Sequence, residues 1–235
     1  IPNRPSPTAR LGAALISHEH KLIFIHLPKC AGTSVERYFG HFDGMDGGRE
    51  RDHRTIRDIE MPVPAAAFLG GPQNLYSLAR RIRLRYRQPA QFAVNNIMPT
   101  PQQFQDYYKF TILRNPWDRM MSWYRDVQRH KPHQRAYPSA GLTDFVKRYA
   151  GWKMLGTYEY WTRTFNGRDP MDRVLLLEDL KKGLDDLAAD LGIGQVALPK
   201  ENLAEIPVER HGVSFSDEAD EIIRNIYSSE IDRFG

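Results

Sequence analysis

The sequence has a single cysteine, Cys30, so no disulfide can form within the chain. It also contains no Asn-x-Ser or Asn-x-Thr acceptor for N-glycosylation. Small secreted domains depend on several disulfides, and these two absences therefore favour a cytoplasmic protein. The sequence begins at Ile1 and not at methionine, so it leaves undecided whether a leader or anchor precedes it.

Long hydrophobic runs are also absent. The longest apolar stretches, KLIFIHL and VPAAAFLGG, are far shorter than the roughly 18 to 20 residues that span a bilayer. The chain nevertheless has enough apolar material for a core, since 41% of its 235 residues are hydrophobic. We predict one domain over residues 1–235, in which the proline-rich residues 1–12 form an extended arm.

Charge is nearly balanced, with 33 Lys and Arg against 29 Asp and Glu. The basic residues cluster in ARRIRLRYRQ, within a segment, 61–108, that we interpret as an insertion beside the active site. As a strand, this run would place Ile82, Leu84 and Tyr86 on one face; as a helix, which we favour, it would bury Leu75, Leu78, Ile82 and Tyr86.

Three short runs rich in β-branched and aromatic residues predict strands at Lys21–Leu27, Lys109–Leu113 and Arg173–Leu177. A helix pattern follows each of them, at Ser34–Phe39, at Pro116–His130 and along the stripe Leu180, Leu184, Leu187 and Leu191. This alternation predicts an α/β fold with a mainly parallel sheet flanked by helices, and ligands at the carboxyl ends of its strands. Two more helices are predicted, at Thr143–Phe165 and Ser216–Arg233, with their first residues as N-caps.

The turn HLPKCAGTS joins the first strand to its helix and has the features of an anion site. A helix N-terminus presents unpaired N–H groups and a positive dipole end. Lys29 adds a full charge, Gly32 permits close approach of the backbone, and Thr33 and Ser34 offer hydroxyls. An ordinary capped helix with a solvated lysine explains the same pattern, and the spacing alone does not decide between the two.

The turn is not a Walker A motif, because its lysine precedes the glycine. Gly192 and Gly194 lack the third glycine of a dinucleotide fingerprint and are interpreted as a helix end.

A second stretch, KFTILRNPWDRMMSWY, repeats the strand–turn–helix design, with Arg114 at the strand end and Ser122 in the helix. Together with HLPKCAGTS it resembles the two cofactor motifs of sulfotransferases that use 3′-phosphoadenosine 5′-phosphosulfate (PAPS), especially the carbohydrate 2-O-type and related bacterial branch. DRVLLLEDL and the C-terminal LPKEN…IYSSEIDRFG resemble further segments of the family, whereas residues 61–108 do not. The resemblance implies a P-loop-like three-layer sandwich and a cytoplasmic, bacterial-like enzyme.

The resemblance also implies roles for residues. The loop around the 5′-phosphosulfate would comprise Lys29, Cys30, Ala31, Gly32, Thr33 and Ser34, while Arg114 and Ser122 would hold the 3′-phosphate. Lysine would stabilise charge on the leaving phosphate of the product, 3′,5′-adenosine bisphosphate (PAP). Sulfuryl transfer requires no metal, and we identify no cluster with metal-ligand spacing; HEH at 18–20 is interpreted as a polar turn.

Attack by an acceptor hydroxyl requires a base. DHRTIRDI resembles a segment that carries the proposed base in the 2-O-type branch, which nominates His53, with Glu36 as the second candidate and His26 as a core or rim residue. Arg83 and Arg85 are candidates for binding an acidic acceptor such as an anionic saccharide, against the simpler interpretation of a solvated face. The acceptor itself, a carbohydrate or a small metabolite, is not specified by the sequence.

Two other functions compete with this interpretation. The arginine run and the pI near 9.1 would suit a nucleic-acid-binding module, but no RNA or DNA motif is recognisable. A nucleotide kinase on the same fold would need the Walker lysine.

Overall fold

The computed structural model describes residues 16–18, 20–32, 35, 53–86, 98–193 and 214–235. The predicted arm at 1–12 and the predicted helix Ser34–Phe39 lie outside these residues, apart from Val35. The described strands are β1 (Ile16–Ser17), β2 (Leu22–Ile25), β3 (Tyr108–Leu113) and β4 (Arg173–Leu176).

The described helices of the first half of the chain are α1 (Ile56–Ile59), α2 (Ala66–Leu69), α3 (Pro72–Tyr86), α4 (Pro101–Asp106), α5 (Pro116–Arg129) and α6 (Lys131–Ala136). Those of the second half are α7 (Leu142–Tyr149), α8 (Tyr158–Thr162), α9 (Leu180–Asp190), α10 (Asp217–Ile226) and α11 (Ser228–Phe234). Short 3₁₀ turns occupy Lys153–Leu155 and Leu177–Asp179.

The four strands form one sheet in the order β1-β2-β3-β4. β1 pairs antiparallel with β2, whereas β2, β3 and β4 run parallel. All of β2 and all but the first residue of β3 are buried, which is why both read as continuous apolar runs. The predicted α/β fold with a mainly parallel sheet flanked by helices is confirmed, and so are its three main strands.

Two hydrophobic clusters organise the described residues. One surrounds the sheet and includes Phe24, Phe110 and Leu184; the other lies between α5, α7 and α10 and includes Trp123, Phe145 and Ile223. α5 begins at Pro116 as predicted, with Asn115 as N-cap. The leucine stripe of α9 is also confirmed, since Leu180, Leu184 and Leu187 are buried.

The prediction of one helix over Thr143–Phe165 is wrong. α7 begins after Gly141 and ends at Tyr149, and α8 begins later, with Thr157 as its N-cap. Gly151 between them has φ of +71°, a left-handed conformation that ends a helix. The chain can therefore turn and bring α8 back onto the sheet cluster.

The predicted helix Ser216–Arg233 is also interrupted. Ser216 is the N-cap, as expected, and its hydroxyl accepts from the N–H of Ala219. The helix ends at Ile226, and Tyr227 separates it from α11. The Tyr227 hydroxyl is fixed, donating to the main-chain oxygen of Leu155 at 2.5 Å and accepting from the N–H of Gly151 at 3.0 Å.

α3 is a helix as predicted, but the prediction of its buried face is wrong. Leu75 and Ile82 are about half exposed, whereas Asn74, Ser77 and Arg81 are buried. The polar face turns inward because it satisfies the main chain of its neighbours: Asn74 donates to Ala66 and Phe165, and Arg81 to Arg57 and Glu60. Leu78 is half-buried, and the side chain of Tyr86 lies outside the described part.

Among the described residues, no helix combines the length and the apolar character that a membrane crossing requires.

Candidate active site

The carboxyl ends of β2 and β3 meet at one edge of the sheet, and the candidate site lies there. Arg114 follows β3 directly, and the turn that contains Lys29 follows β2. The two strands are parallel neighbours, so their ends emerge together, where α/β sheets bind ligands. Arg114 Nη1 donates to the main-chain oxygen of Lys29 at 3.4 Å. The structure therefore brings the two sequence motifs into contact.

The turn after β2 has an unusual backbone. Lys29 and Ala31 have φ of +66° and +55°, a left-handed conformation that costs a non-glycine residue about 1 kcal/mol or more. Strained residues of this kind concentrate at ligand sites. Left-handed residues close together are typical of concave turns in which backbone N–H groups converge on an anion.

Arg119 fixes this turn to α5. Its side chain is buried, and Nε donates to the main-chain oxygen of Pro28 at 3.2 Å. Nη2 donates to the main-chain oxygens of Met154 at 3.1 Å and Gly156 at 2.9 Å. Arg119 was not predicted as a site residue, although its place on the buried face of α5 with Met120 and Trp123 was a readable signal.

Gly32 is required by its contact with His26. A Cβ at Gly32 would lie 2.0 Å from Cδ2 of His26, and the histidine ring, stacked on Phe24 at 5.7 Å, is buried in the strand edge. Any side chain at Gly32 would therefore displace His26 or the turn. His26 is a core histidine, as the sequence analysis expected.

Cys30 is buried within the turn, and its thiol donates to the main-chain oxygen of Pro28 at 3.6 Å. Burial raises the pKa of the Cys30 thiol to about 11, although the charges of Arg119 and Arg114 act in the opposite direction. The group is therefore a neutral thiol at physiological pH and packs as a small apolar side chain.

The Lys29 side chain lies beside α5. Its Nζ is 3.5 Å from Oδ1 of Asp126 and 5.7 Å from the ring centroid of Trp123. Ser122, which is partly buried, precedes Asp126 by four residues and so shares its side of α5. The structure thus places the Lys29 amine beside the helix face that carries Ser122.

Arg114 has an unused donor. Its Nε is buried and has no hydrogen-bond partner among the described residues. A buried N–H without an acceptor is costly, and an anionic ligand at this edge would remove that cost. Thr33, Ser34 and Glu36, the other predicted residues of the turn and helix, lie outside the described part of the chain.

His53 is half-buried and lies against the same strand end. Its Nδ1 is 3.2 Å from the main-chain oxygen of His26, and the two imidazole centroids are 4.4 Å apart. A carbonyl oxygen only accepts, so Nδ1 carries the proton and Nε2 carries the lone pair of the neutral ring. Arg80 holds the His53 main chain, donating from Nη2 to its oxygen at 2.8 Å.

The arginine run divides into two groups. Arg80 and Arg81 are bonded within the fold, since Arg80 pairs with the buried Asp58 and Arg81 donates to main-chain oxygens. Arg83 is exposed, and the side chain of Arg85 lies outside the described part. Among the arginines of this run whose side chains the structure describes, Arg83 is the one that faces solvent.

A further group of side chains borders the site. Asp126, His130 and His133 each place one oxygen or nitrogen within 4.8 Å of the others. The sequence analysis missed this group, although the spacing Asp-x-x-x-His-x-x-His is readable. The three side chains come close together because the helix is interrupted at His130, between α5 and α6.

Comparison with models of protein families identifies a family for this chain. The model of the sulfotransferase family matches residues 13–234, nearly the whole chain. No curated protein and no solved structure matches the chain.

Proposed function

Because the chain belongs to the sulfotransferase family, we propose that it transfers a sulfuryl group from PAPS to a hydroxyl or amine of an acceptor. The observation that carries this proposal is the contact of Arg114 Nη1 with the Lys29 main chain. That contact joins the turn after β2 to the start of α5, so one anionic donor can reach both.

Lys29 is proposed as the residue that stabilises the leaving group. In the structure its amine lies 3.5 Å from Asp126 and its side chain is 19% exposed, so the side chain is close to the helix surface and still accessible. An anionic donor competes with Asp126 for this amine. As the S–O bond breaks, charge builds on the 5′-phosphate, and a cation placed there stabilises the transition state more than the ground state.

Arg114 and Ser122 are proposed to hold the 3′-phosphate. The buried, unpartnered Nε of Arg114 supports this role, because a guanidinium fork matches phosphate oxygens. Ser122 would add a hydroxyl from α5. Neither group lies at the breaking bond, so their contribution is to affinity and orientation.

His53 is proposed as the general base. The acceptor oxygen attacks sulfur and forms the new O–S bond, while the bond from sulfur to the phosphate oxygen breaks and leaves its electron pair on PAP. The acceptor proton passes to Nε2 of His53, the nitrogen that carries the lone pair when Nδ1 donates to His26. Glu36 is the alternative base.

An acidic acceptor, such as an anionic saccharide, is proposed to contact Arg83 and Arg85. Arg83 is exposed on α3, the helix that holds His53 through Arg80. Charge reversal at both arginines should raise the acceptor KM and flatten its salt dependence while donor affinity stays unchanged. An unchanged acceptor KM would mean that this face of α3 is solvated and does not bind the acceptor.

Incubation of the protein with PAPS labelled in its sulfur, together with fractionated glycans and small metabolites, tests the function. Labelled product in one fraction, formed only with the protein, supports sulfuryl transfer and identifies the acceptor class. Stabilisation by ATP and magnesium but not by PAP would favour a kinase, and preference for oligonucleotides would favour a nucleic-acid-binding module.

A further inference from the structure

One carboxylate and two imidazoles form a compact group that the proposed reaction does not use. Asp126 lies near the end of α5, His130 between α5 and α6, and His133 within α6. One ligand-type atom from each lies within 4.8 Å of the other two. All three side chains have access to solvent, since their exposed fractions are 23%, 56% and 42% in that order.

The separations between these atoms are close to those of ligands around one metal ion. Oδ2 of Asp126 lies 2.9 Å from Nδ1 of His133. Nδ1 of His130 lies 3.6 Å from Oδ1 of Asp126 but donates to the main-chain oxygen of that residue at 2.9 Å, so His130 would bind an ion through Nε2. Ligands bound at about 2.0 to 2.1 Å in a tetrahedral zinc site are about 3.3 Å apart. Because one ligand-type atom of each residue lies within 4.8 Å of the others, rotation of these side chains would bring three ligand atoms onto one ion.

His133 supplies a second, independent observation. Its Nδ1 is buried and makes no hydrogen bond with any described residue, although Oδ2 of Asp126 is only 2.9 Å away. A buried nitrogen that makes no hydrogen bond is costly, and a cation shared with Asp126 would satisfy both atoms.

We propose that Asp126, His130 and His133 bind a divalent transition metal of the zinc class. Two imidazoles and one carboxylate suit zinc, with a fourth position left to water. Trp123 packs its ring 5.3 Å from that of His133 and limits the rotation of that imidazole. The site borders the proposed donor site through the contact of Asp126 with Lys29, but the metal takes no part in the proposed sulfuryl transfer.

The proposal has a distinctive consequence for Lys29. Its ammonium lies 3.5 Å from Oδ1 of Asp126, so the lysine and the metal compete for one carboxylate. Removal of the lysine charge should strengthen metal binding, because it removes a repulsive cation and frees the carboxylate. A polar surface cluster without a metal site would show no such effect.

Calorimetric titration of the untagged protein with Zn²⁺ tests the site. We expect one equivalent to bind, His133→Ala and Asp126→Asn to weaken binding at least tenfold, and Lys29→Met to tighten it several-fold. His18→Ala, which removes a distant histidine bonded to Tyr107, is the matched control and should leave affinity unchanged. Titration with Co²⁺ gives an independent readout, since imidazole–carboxylate coordination produces visible absorption bands.

Absence of stoichiometric Zn²⁺ binding would overturn the proposal. Equal affinity in the wild type and the His133→Ala variant would also overturn it, and so would an equal loss in the His18→Ala control. Circular dichroism of the variants separates a lost ligand from a lost fold.

Discussion

The buried guanidinium of Arg119 donates from Nε to the main-chain oxygen of Pro28 at 3.2 Å, one residue before Lys29. α5 therefore holds the turn in which the proposed leaving-group lysine lies. Nη2 of the same side chain satisfies the main chain at Met154 and Gly156, so one residue joins the turn, α5 and the segment before α8.

Arg119→Ala should reduce the free energy of unfolding by about 3 kcal/mol, because three main-chain carbonyl oxygens lose their donor and two of these bonds are buried. Urea denaturation followed by circular dichroism measures this change. Arg148→Ala is the matched control: Arg148 is 57% exposed and paired within its own helix, so its loss should leave stability nearly unchanged. Equal stability of the two variants would mean that Arg119 does not hold the turn.

Lys29→Met should reduce sulfuryl transfer about 100-fold while the protein remains folded, since the lysine is proposed to stabilise charge that develops only in the transition state. Transfer of labelled sulfur to the active acceptor fraction measures the rate. Lys181→Met, at a lysine that is 79% exposed and paired with Asp185, controls for loss of one positive charge. Full turnover by the Lys29 variant would exclude this role.

His53→Ala should lower kcat about 100-fold with little change in PAP affinity, because the ring is proposed to contact the acceptor and not the phosphates. The measurement is kcat at saturating donor between pH 6 and 9, with His18→Ala as control. If Glu36 is the base, Glu36→Gln will show the loss and His53→Ala will keep a normal kcat, which would contradict the assignment of His53.

Cys30 should resist alkylation in the native protein. With a pKa of about 11, about one thousandth of the thiol is ionised at pH 8, and burial also blocks the reagent. Because burial disfavours the thiolate, reactivity should rise as pH approaches 11 and should become ordinary in urea. Rapid, stoichiometric reaction of the folded protein with a thiol reagent at pH 8 would show that this turn is open.

The centre of the sheet was predictable from the sequence because β2 and β3 are buried on both faces, which leaves continuous apolar runs such as LIFI in β2. The closeness of Lys29 and Arg114 was predictable in the same way. Arg114 directly follows β3 and Lys29 lies in the turn after β2, and the two strands are parallel neighbours. α5 was readable for a local reason, the N-cap at Asn115 followed by Pro116.

The inward face of α3 was not predictable from periodicity. Its apolar residues Leu75 and Ile82 are half exposed, while Arg81 is buried because the carbonyl oxygens of Arg57 and Glu60 require donors. That requirement arises only when α1 and α3 pack together, and a helical stripe cannot report it. The contact between Asp126 and His133 likewise arises only because the helix is interrupted at His130, between α5 and α6.

The binding of PAP tests the central claim most directly, because it requires no knowledge of the acceptor. Calorimetry should show one PAP bound per chain by the wild type, with affinity reduced at least tenfold in Arg114→Ala, since a charge-assisted contact contributes about 1.5 to 3 kcal/mol. Arg148→Ala should bind as the wild type does. Failure of the wild type to bind PAP, or equal affinity in the Arg114 variant, would contradict the proposed donor site.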